Sequence, residues 1–381
     1  MTESTTARPT DWSKLRADVG RIVLVFQGGG ALGAYQAGVY EALHEAGIEP
    51  DWVIGTSIGA INAALIAGND VENRLAKLTE FWRRVEQGGL PGMTSEAGMG
   101  AALANFNTVV NGIQAFFKPN PLAFLGAHWP LGPESAGYYS TAPLRETLGE
   151  LIDCRLIARN APRLTVGAAN VVTGEMHYFD SRDMPVGIEH VMASGALPPA
   201  FPPVRIGGQL YWDGGILSNT PVEAVFDDNP RENSLVVAVH VWQVRGAEPR
   251  TMMEVAGRQK DVQYASRMLT HIARQKQLHR LRHIISELAG KLGEKERKSE
   301  RVRMLASYGC VTRMHVVRLI APPVEGEGHT KDIDFSREGI RRRRDAGRED
   351  TLRMLAKKPW ASAFDPMEGF ILHELDGASA R

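Results

Sequence analysis

Residues 52–60 read Trp-Val-Ile-Gly-Thr-Ser-Ile-Gly-Ala. A short apolar run, Val53-Ile54, meets Gly55-Thr56-Ser57-Ile58-Gly59, a G-x-S-x-G pattern, and an Ala-rich amphipathic run continues to Ala67. The expected context is strand, tight turn, helix, which is the context in which this pattern lifts a nucleophilic serine off the end of a sheet. Gly55 and Gly59 leave space where side chains would clash. A helix beginning at Ser57 points its unpaired N–H groups and positive dipole end at the hydroxyl, so negative charge developing there would be stabilised. The plainer alternative is a strand-to-helix turn whose serine only caps the helix.

Working outward, Arg21 to Gln27 is a near-continuous apolar run of strand length, suited to a strand buried on both faces of an α/β sheet. Gly28-Gly29-Gly30-Ala31-Leu32-Gly33 follows directly, and then a helical pattern from Ala34 to Ala46 that Gly47 stops. The glycine loop has two functional readings. As G-x-G-x-x-G, with Gly28, Gly30 and Gly33 and with Asp51 about twenty residues on, it fits a dinucleotide fingerprint. However, Asp51 precedes the next strand, whereas a ribose contact needs an acid at a strand end. As an oxyanion hole, Gly28, Gly29 and Gly30 present bare backbone N–H groups with a helix N-terminus behind them. Two consecutive strand-turn-helix units place both loops at the carboxyl ends of adjacent parallel strands, the edge where open α/β sheets bind ligands.

The rest of the chain supplies helices at 72–86, 141–152, 186–193 and 336–356, strands at 163–171, 175–179, 235–242 and 314–320, and a hairpin at 204–212 turning at Gly207-Gly208. Residues 97–133 carry one formal charge, Lys118, among many apolar side chains interrupted by Gly, Pro and Asn. Such an insertion reads as a lid, acyl tunnel or interfacial helix, or as an ordinary buried helix pair. A rigid Pro-rich crossing at 194–206 leads through the hairpin to Asp213-Gly214-Gly215. Asp213 at a strand end is a candidate base for Ser57; the alternative is a capping aspartate in a turn. Residues 251–306 read as long helices, and 251–320 hold fifteen Lys/Arg against six Asp/Glu. That excess is either a solvated face or a platform for anionic headgroups. Residues 1–20 read as a flexible polar leader and the last twenty or so as a loosely packed tail.

Composition bounds the function. The chain has 381 residues, 43% hydrophobic and 23% charged, with a formal net charge of zero, so no global field points to nucleic acid. Two distant cysteines, Cys154 and Cys310, have no metal-ligand spacing and imply no disulfide framework. Neither a metal nor a cofactor is expected. No secretory signal is read at the N-terminus and no apolar run is long enough to span a bilayer. The expected location is cytoplasmic, with at most peripheral contact at the inner membrane surface.

In order, the glycine loop at 28–33, G-x-S-x-G at 55–59, the Ala193 to Pro203 run and Asp-Gly-Gly at 213–215 resemble the patatin-like phospholipases, over roughly residues 20–245. The resemblance implies a three-layer α/β/α fold with a mostly parallel sheet. It also implies a lipid or acyl-ester substrate and a Ser/Asp dyad in which Ser57 is the nucleophile and Asp213 the base. Gly28, Gly29 and Gly30 match the oxyanion loop, with Gly33, Gly55, Gly59, Gly214 and Gly215 in support. The chain departs at Leu32, where family members often carry Arg or Lys. Residues 21–245 are expected to form the catalytic domain, and residues 246–381 resemble a mostly helical extension found in a bacterial subset. A triad in the order Ser, Asp, His stays open, because His240, His271, His279, His283, His315, His329 and His373 all follow Asp213. The rival readings are a non-catalytic lipid- or partner-binding protein and, behind it, a dinucleotide-binding enzyme. The acyl substrate and oligomeric state stay open.

Overall fold

The computed structural model describes residues 12–87, 99–126, 128–265, 267–324, 328–365 and 367–375. Helix α1 (Trp12–Val19) leads into strand β1 (Arg21–Phe26), helix α2 (Ala34–Glu45), strand β2 (Trp52–Thr56), and helices α3 (Ile58–Ala67), α4 (Val71–Val85) and α5 (Met99–Asn111). Two short strands, β3 (Lys118–Pro119) and β4 (Tyr139–Ser140), pair antiparallel beside the insertion. The later strands are β5 (Arg163–Asn170), β6 (Met176–Asp180), β7 (Val204–Ile206), β8 (Gln209–Asp213), β9 (Ser234–His240), β10 (Met314–Ile320) and β11 (Phe370–Glu374).

Nine of these form one sheet in the order β11-β10-β9-β1-β2-β5-β8-β7, with β6 also paired to β5. Pairings from β11 across to β5 are parallel; β6, β7 and β8 join antiparallel. Alternation along each strand divides the core into two layers. Ile22, Leu24 and Phe26 of β1 pack on one face with α2, α3 and α4. Val23 and Val25 pack on the other with Trp52, Ile54, Phe226 and Ile272. The architecture is three-layer α/β/α with a mostly parallel sheet.

Two expectations change. Residues 12–19 of the supposed leader form α1, because Leu15 and Val19, one helical turn apart, are buried in the core; residues 1–11 lie outside the described residues. The tail holds β11, whose Phe370 is buried against Phe226, while residues 376–381 lie outside the described residues. The extension therefore does more than add helices: β10 and β11 continue the sheet beyond β9, and the helix Arg337–Lys357 packs along α2.

Candidate active site

Register brings the two sequence signals together. β1 and β2 pair in parallel, with Phe26 beside Gly55, so the glycine loop and Ser57 leave the same edge side by side. β2 pairs with β5 up to Thr56 beside Gly167, and β8 runs back along β5 until Asp213 stands opposite Ala168. Ser57 and Asp213 thus end up one strand apart at the same height. Asp51 lies at the opposite edge, where its carboxylate accepts from the Ile22 N–H at 2.9 Å and pairs with Arg16. That placement removes the acid a dinucleotide reading requires.

Ser57 has φ +56, a left-handed backbone for a non-glycine residue, the strain expected of a serine held up at a strand-to-helix turn. Its N–H is fixed to the carbonyl and Oγ of Ser194 at 3.1 and 3.0 Å, and Ser194 Oγ donates to the Gly167 carbonyl at 2.6 Å. Ser57 makes no side-chain cap bond to α3, so the capping alternative has no bond behind it. A Cβ added at Gly55 would overlap the Gly59 carbonyl, which is the close strand–helix approach both glycines permit.

Asp213 is 2% exposed. Its carboxyl is pushed up to about 7, chiefly by burial, while interactions with the Ser57 hydroxyl and the Gly215 N–H (2.7 Å) pull downward without cancelling that effect. Among the described residues no cation pairs with it. The result is a carboxylate with the proton affinity of a histidine.

The glycine loop needs one correction. The Gly28 N–H donates to the Asn219 carbonyl at 3.1 Å, and the Gly28 carbonyl accepts from Asn219 Nδ2 (3.1 Å) and Trp242 Nε1 (2.7 Å). Gly28 is therefore a fixed turn, not a free donor. Among the described residues nothing accepts from the N–H of Gly29 or Gly30. Gly28 also sits close to Ser57, since a Cβ added there would lie 3.0 Å from Ser57 Cβ. Behind the loop, Gln27 Oε1 accepts from the N–H groups of Val241 and Trp242 at 2.7 and 3.1 Å, and its Nε2 donates to Thr220 Oγ1 at 2.8 Å. Leu32 is buried and lines a small gap with Lys331 and Arg343 from the extension.

Gly28, Gly29, Gly30, Ser57 and Asp213 line one cavity of about 180 Å³. Its remaining wall is mostly apolar: Ile58, Ile61, Val109, Phe116, Phe117, Tyr139, Leu197, Phe201, Ile333 and Phe335, with Trp242 and Tyr264 close to the loop. Phe116, Phe117, Phe201 and Tyr139 pack on one another with centroids 4.9 to 6.3 Å apart. The insertion is thus divided. Phe116 and Phe117 are buried at the cavity and Ile113 is buried in the core, whereas Phe106, Leu122, Phe124 (69%), Leu125 and Trp129 (61%) are exposed. That excludes an ordinary buried helix pair for the described part; residues 97, 98 and 127 lie outside it.

None of the described histidine side chains lines the cavity. His240 is buried in β9 and pushed down to about 3, by burial and then by the Arg318 charge. His279 and His283 both bond the Thr312 carbonyl, and His315 pairs with His373 at 3.0 Å. The side chain of His271 lies outside the described residues. Sequence reasoning passed over Asn219, Trp242, Tyr264 and Asp332 because their partners are remote in the chain.

Among the described residues no group of three or more His, Cys, Asp or Glu is placed to hold a metal ion. No helix there is long and apolar enough to cross a membrane. A hydroxyl at a left-handed strand-to-helix turn, a buried carboxyl with raised proton affinity and two backbone amides with no acceptor among the described residues thus line one mostly apolar cavity.

The chain belongs to the patatin-like phospholipase family: the family model described as patatin-like phospholipase matches residues 24–226, and a second, described as patatin phospholipase, matches 262–367. An uncharacterized NTE family protein of Mycobacterium tuberculosis is 30% identical over 210 residues, 55% of this chain and 29% of that protein. A triacylglycerol lipase of Schizosaccharomyces pombe is 36% identical over 72 residues, 19% of this chain and 15% of the lipase. The chain thus spans under a third of the length of these relatives. Among solved structures, VipD from Legionella pneumophila aligns with a TM-score of 0.37 and 16% identity, over 88% of this chain and 67% of VipD.

Proposed function

We propose that the protein is a serine acyl-hydrolase that cleaves carboxylic ester bonds of lipids, through a Ser57–Asp213 dyad and an acyl-enzyme intermediate. The observation that carries this is that Ser57, the buried Asp213 carboxyl and the Gly29–Gly30 backbone line one mostly apolar cavity; burial also pushes the Asp213 carboxyl up, to about 7. A general base works best when its proton affinity matches the working pH. Asp213 takes the Ser57 proton as Oγ attacks the ester carbonyl, and the Gly29 and Gly30 amides with the α3 dipole receive the oxyanion. The proton passes to the leaving alcohol as the C–O bond breaks. Water, deprotonated by Asp213, then attacks the acyl-enzyme; the acyl C–Oγ bond breaks, Asp213 returns the proton to Ser57 Oγ, and the fatty acid is released.

Lipid as the substrate class is supported by family membership and by the aromatic wall of the cavity. Peripheral contact with a lipid surface is supported by the exposed apolar side chains Phe106, Val109, Val110, Leu122, Phe124, Leu125 and Trp129, of which Val109 also lines the cavity. The catalytic unit includes the extension, because Tyr264, Asp332, Ile333 and Phe335 complete the wall. The test is labelling with a fluorophosphonate probe, followed by peptide mapping. The expected adduct is on Ser57 alone, lost in Ser57→Ala and slowed in Asp213→Asn. An active, folded protein labelled elsewhere overturns the proposal.

A further inference from the structure

We infer that residues 328–335, clamped by Lys260, aim the Gly29 and Gly30 amides, which makes Lys260 and Asp332 positioning residues for acyl transfer. This rests on the hydrolase reading above. A loop of three glycines has no side chains to stiffen it, and glycine loses more conformational freedom on ordering than any other residue. Oxyanion donors act only if they are held in place before the charge appears. The structure must therefore hold this loop from outside.

It does so from two directions. On one side, Trp242 Nε1 and Asn219 Nδ2 grip the Gly28 carbonyl. On the other, the short turn Lys331–Ile333 packs on the turn Gly30–Gly33. Gly30 has φ +56, and a Cβ added there would overlap the Asp332 carbonyl oxygen. The Asp332 backbone thus lies directly on the loop, and Asp332 itself lines the catalytic cavity.

The turn is in turn fastened to the helix Met252–Ala265 by a crossed pair of bridges. Lys260 Nζ donates to the His329 carbonyl at 3.0 Å and to both Asp332 oxygens at 2.7 and 2.9 Å. Lys331 Nζ pairs with Asp261 at 2.7 Å and stands 5.3 Å from the Trp242 ring centre. The same helix supplies the Tyr264 carbonyl, which accepts from Asn219 and Gln27 at 3.3 and 3.1 Å. Both sides of the loop therefore meet at one helix of the extension. The matched pairs restrain Asp332, and the Asp332 backbone restrains Gly30.

The oxyanion exists only after attack, so a slack clamp weakens transition-state binding and leaves ground-state binding alone. The experiment compares the full chain with Lys260→Met, Lys260→Arg and Asp332→Asn. It measures kcat and KM on p-nitrophenyl butyrate, the rate of Ser57 labelling by fluorophosphonate, and Tm. Lys260→Met and Asp332→Asn are expected to lose roughly 10- to 100-fold in kcat and labelling rate, short of the loss from deleting an oxyanion donor outright. KM should stay within about twofold and Tm close to wild type, with Lys260→Arg recovering most of the rate. Wild-type kcat in both folded variants overturns the clamp, as does a rate loss that only follows a loss of folded protein. If one variant fails to fold, the other decides. Wild-type protein that neither turns over ester nor labels at Ser57 removes the hydrolase reading, and the clamp with it. Wild-type turnover with unaffected variants removes the clamp alone.

Discussion

Two aspartates of this molecule are buried almost equally and treated in opposite ways. Asp228, near the start of β1, accepts from Arg21, Arg163 and Arg182 at 2.7 to 3.1 Å. Burial works to raise its pKa, but the Arg163 charge and the arginine hydrogen bonds outweigh burial and hold the carboxyl below its ordinary range. Asp213, at the other edge of the sheet, has a serine and a backbone N–H for company and rises to about 7. One edge surrounds its carboxylate with arginines; the other leaves its carboxyl without a cation among the described residues, which is what the proposed base needs. Buried groups with displaced proton affinity and no counter-charge mark a reactive site, whereas those with saturated partners mark a structural one.

The contrast can be broken at either end. The largest effect is expected from Ser57→Ala, with a loss of at least about 10³-fold in kcat/KM on a soluble ester and an unchanged fold. A folded variant that retains activity would remove the chemical half of the comparison. Next comes Asp228→Ala, which leaves Arg163 only Asp180, Arg21 only Glu232 and Arg182 only Asp183 as carboxylate partners, and should cost about 1–3 kcal/mol of stability by urea unfolding, with kcat per folded molecule unchanged. A loss under 1 kcal/mol would mean that the arginine cluster does not depend on Asp228.

The pH dependences should also oppose one another. For Asp213 the folded pKa is raised, so its contribution to stability is fully present below the ordinary carboxylate pKa of about 4 and is lost as pH rises through about 7. Asp213→Asn should therefore stabilise the protein at pH 8, by at most roughly 4 kcal/mol, and much less at pH 5. For Asp228 the folded pKa is lowered, so its contribution is present above the ordinary range and lost as pH falls through the folded value. Wild-type kcat/KM should fall about tenfold per pH unit below pH 7, as the base protonates. A flat profile between pH 5 and 8 would contradict the assignment of Asp213 as base.

The smallest effect is expected at the exposed apolar surface. Leu125→Asp should reduce turnover on lipid vesicles a few-fold, by roughly 1 kcal/mol, and leave a water-soluble ester unaffected. An equal loss on both substrates would mean that the residue acts on the fold and not on docking.

What could be read in advance follows from chain distance. Ser57 and the glycine loop each sit in one local strand-turn-helix unit, so their patterns carried both the backbone geometry and the placement at one sheet edge. Asp213 was singled out only by the order of its Asp-Gly-Gly with the other motifs; alone that setting reads as a capping turn, and Asp213 does accept from the Gly215 N–H. The commitment of the Gly28 N–H was not, because Asn219 lies 191 positions away. Asp332 sits in a polar loop that reads like any other until Gly30 is packed beneath it. β11 was missed because five residues near a polar tail carry no periodicity that separates a parallel strand from a loop, and only the exposed edge of β10 selects it. Helix α1 escaped for a related reason, since two apolar residues in a polar stretch become a pattern only once there is a core to meet.

The continuation of the sheet past β9 also bears on how the chain is made. β9 is buried along its whole length, and its outer neighbour β10 begins seventy-four residues after β9 ends. A ribosome releasing the first 245 residues would present a bare, mostly apolar edge, with the β9 backbone groups that do not bond β1 ready to pair with another nascent chain. Cutting the gene after residue 245, just past β9, should accordingly yield inclusion bodies, and the N-terminal part should be rescued by supplying the downstream part in the same cell.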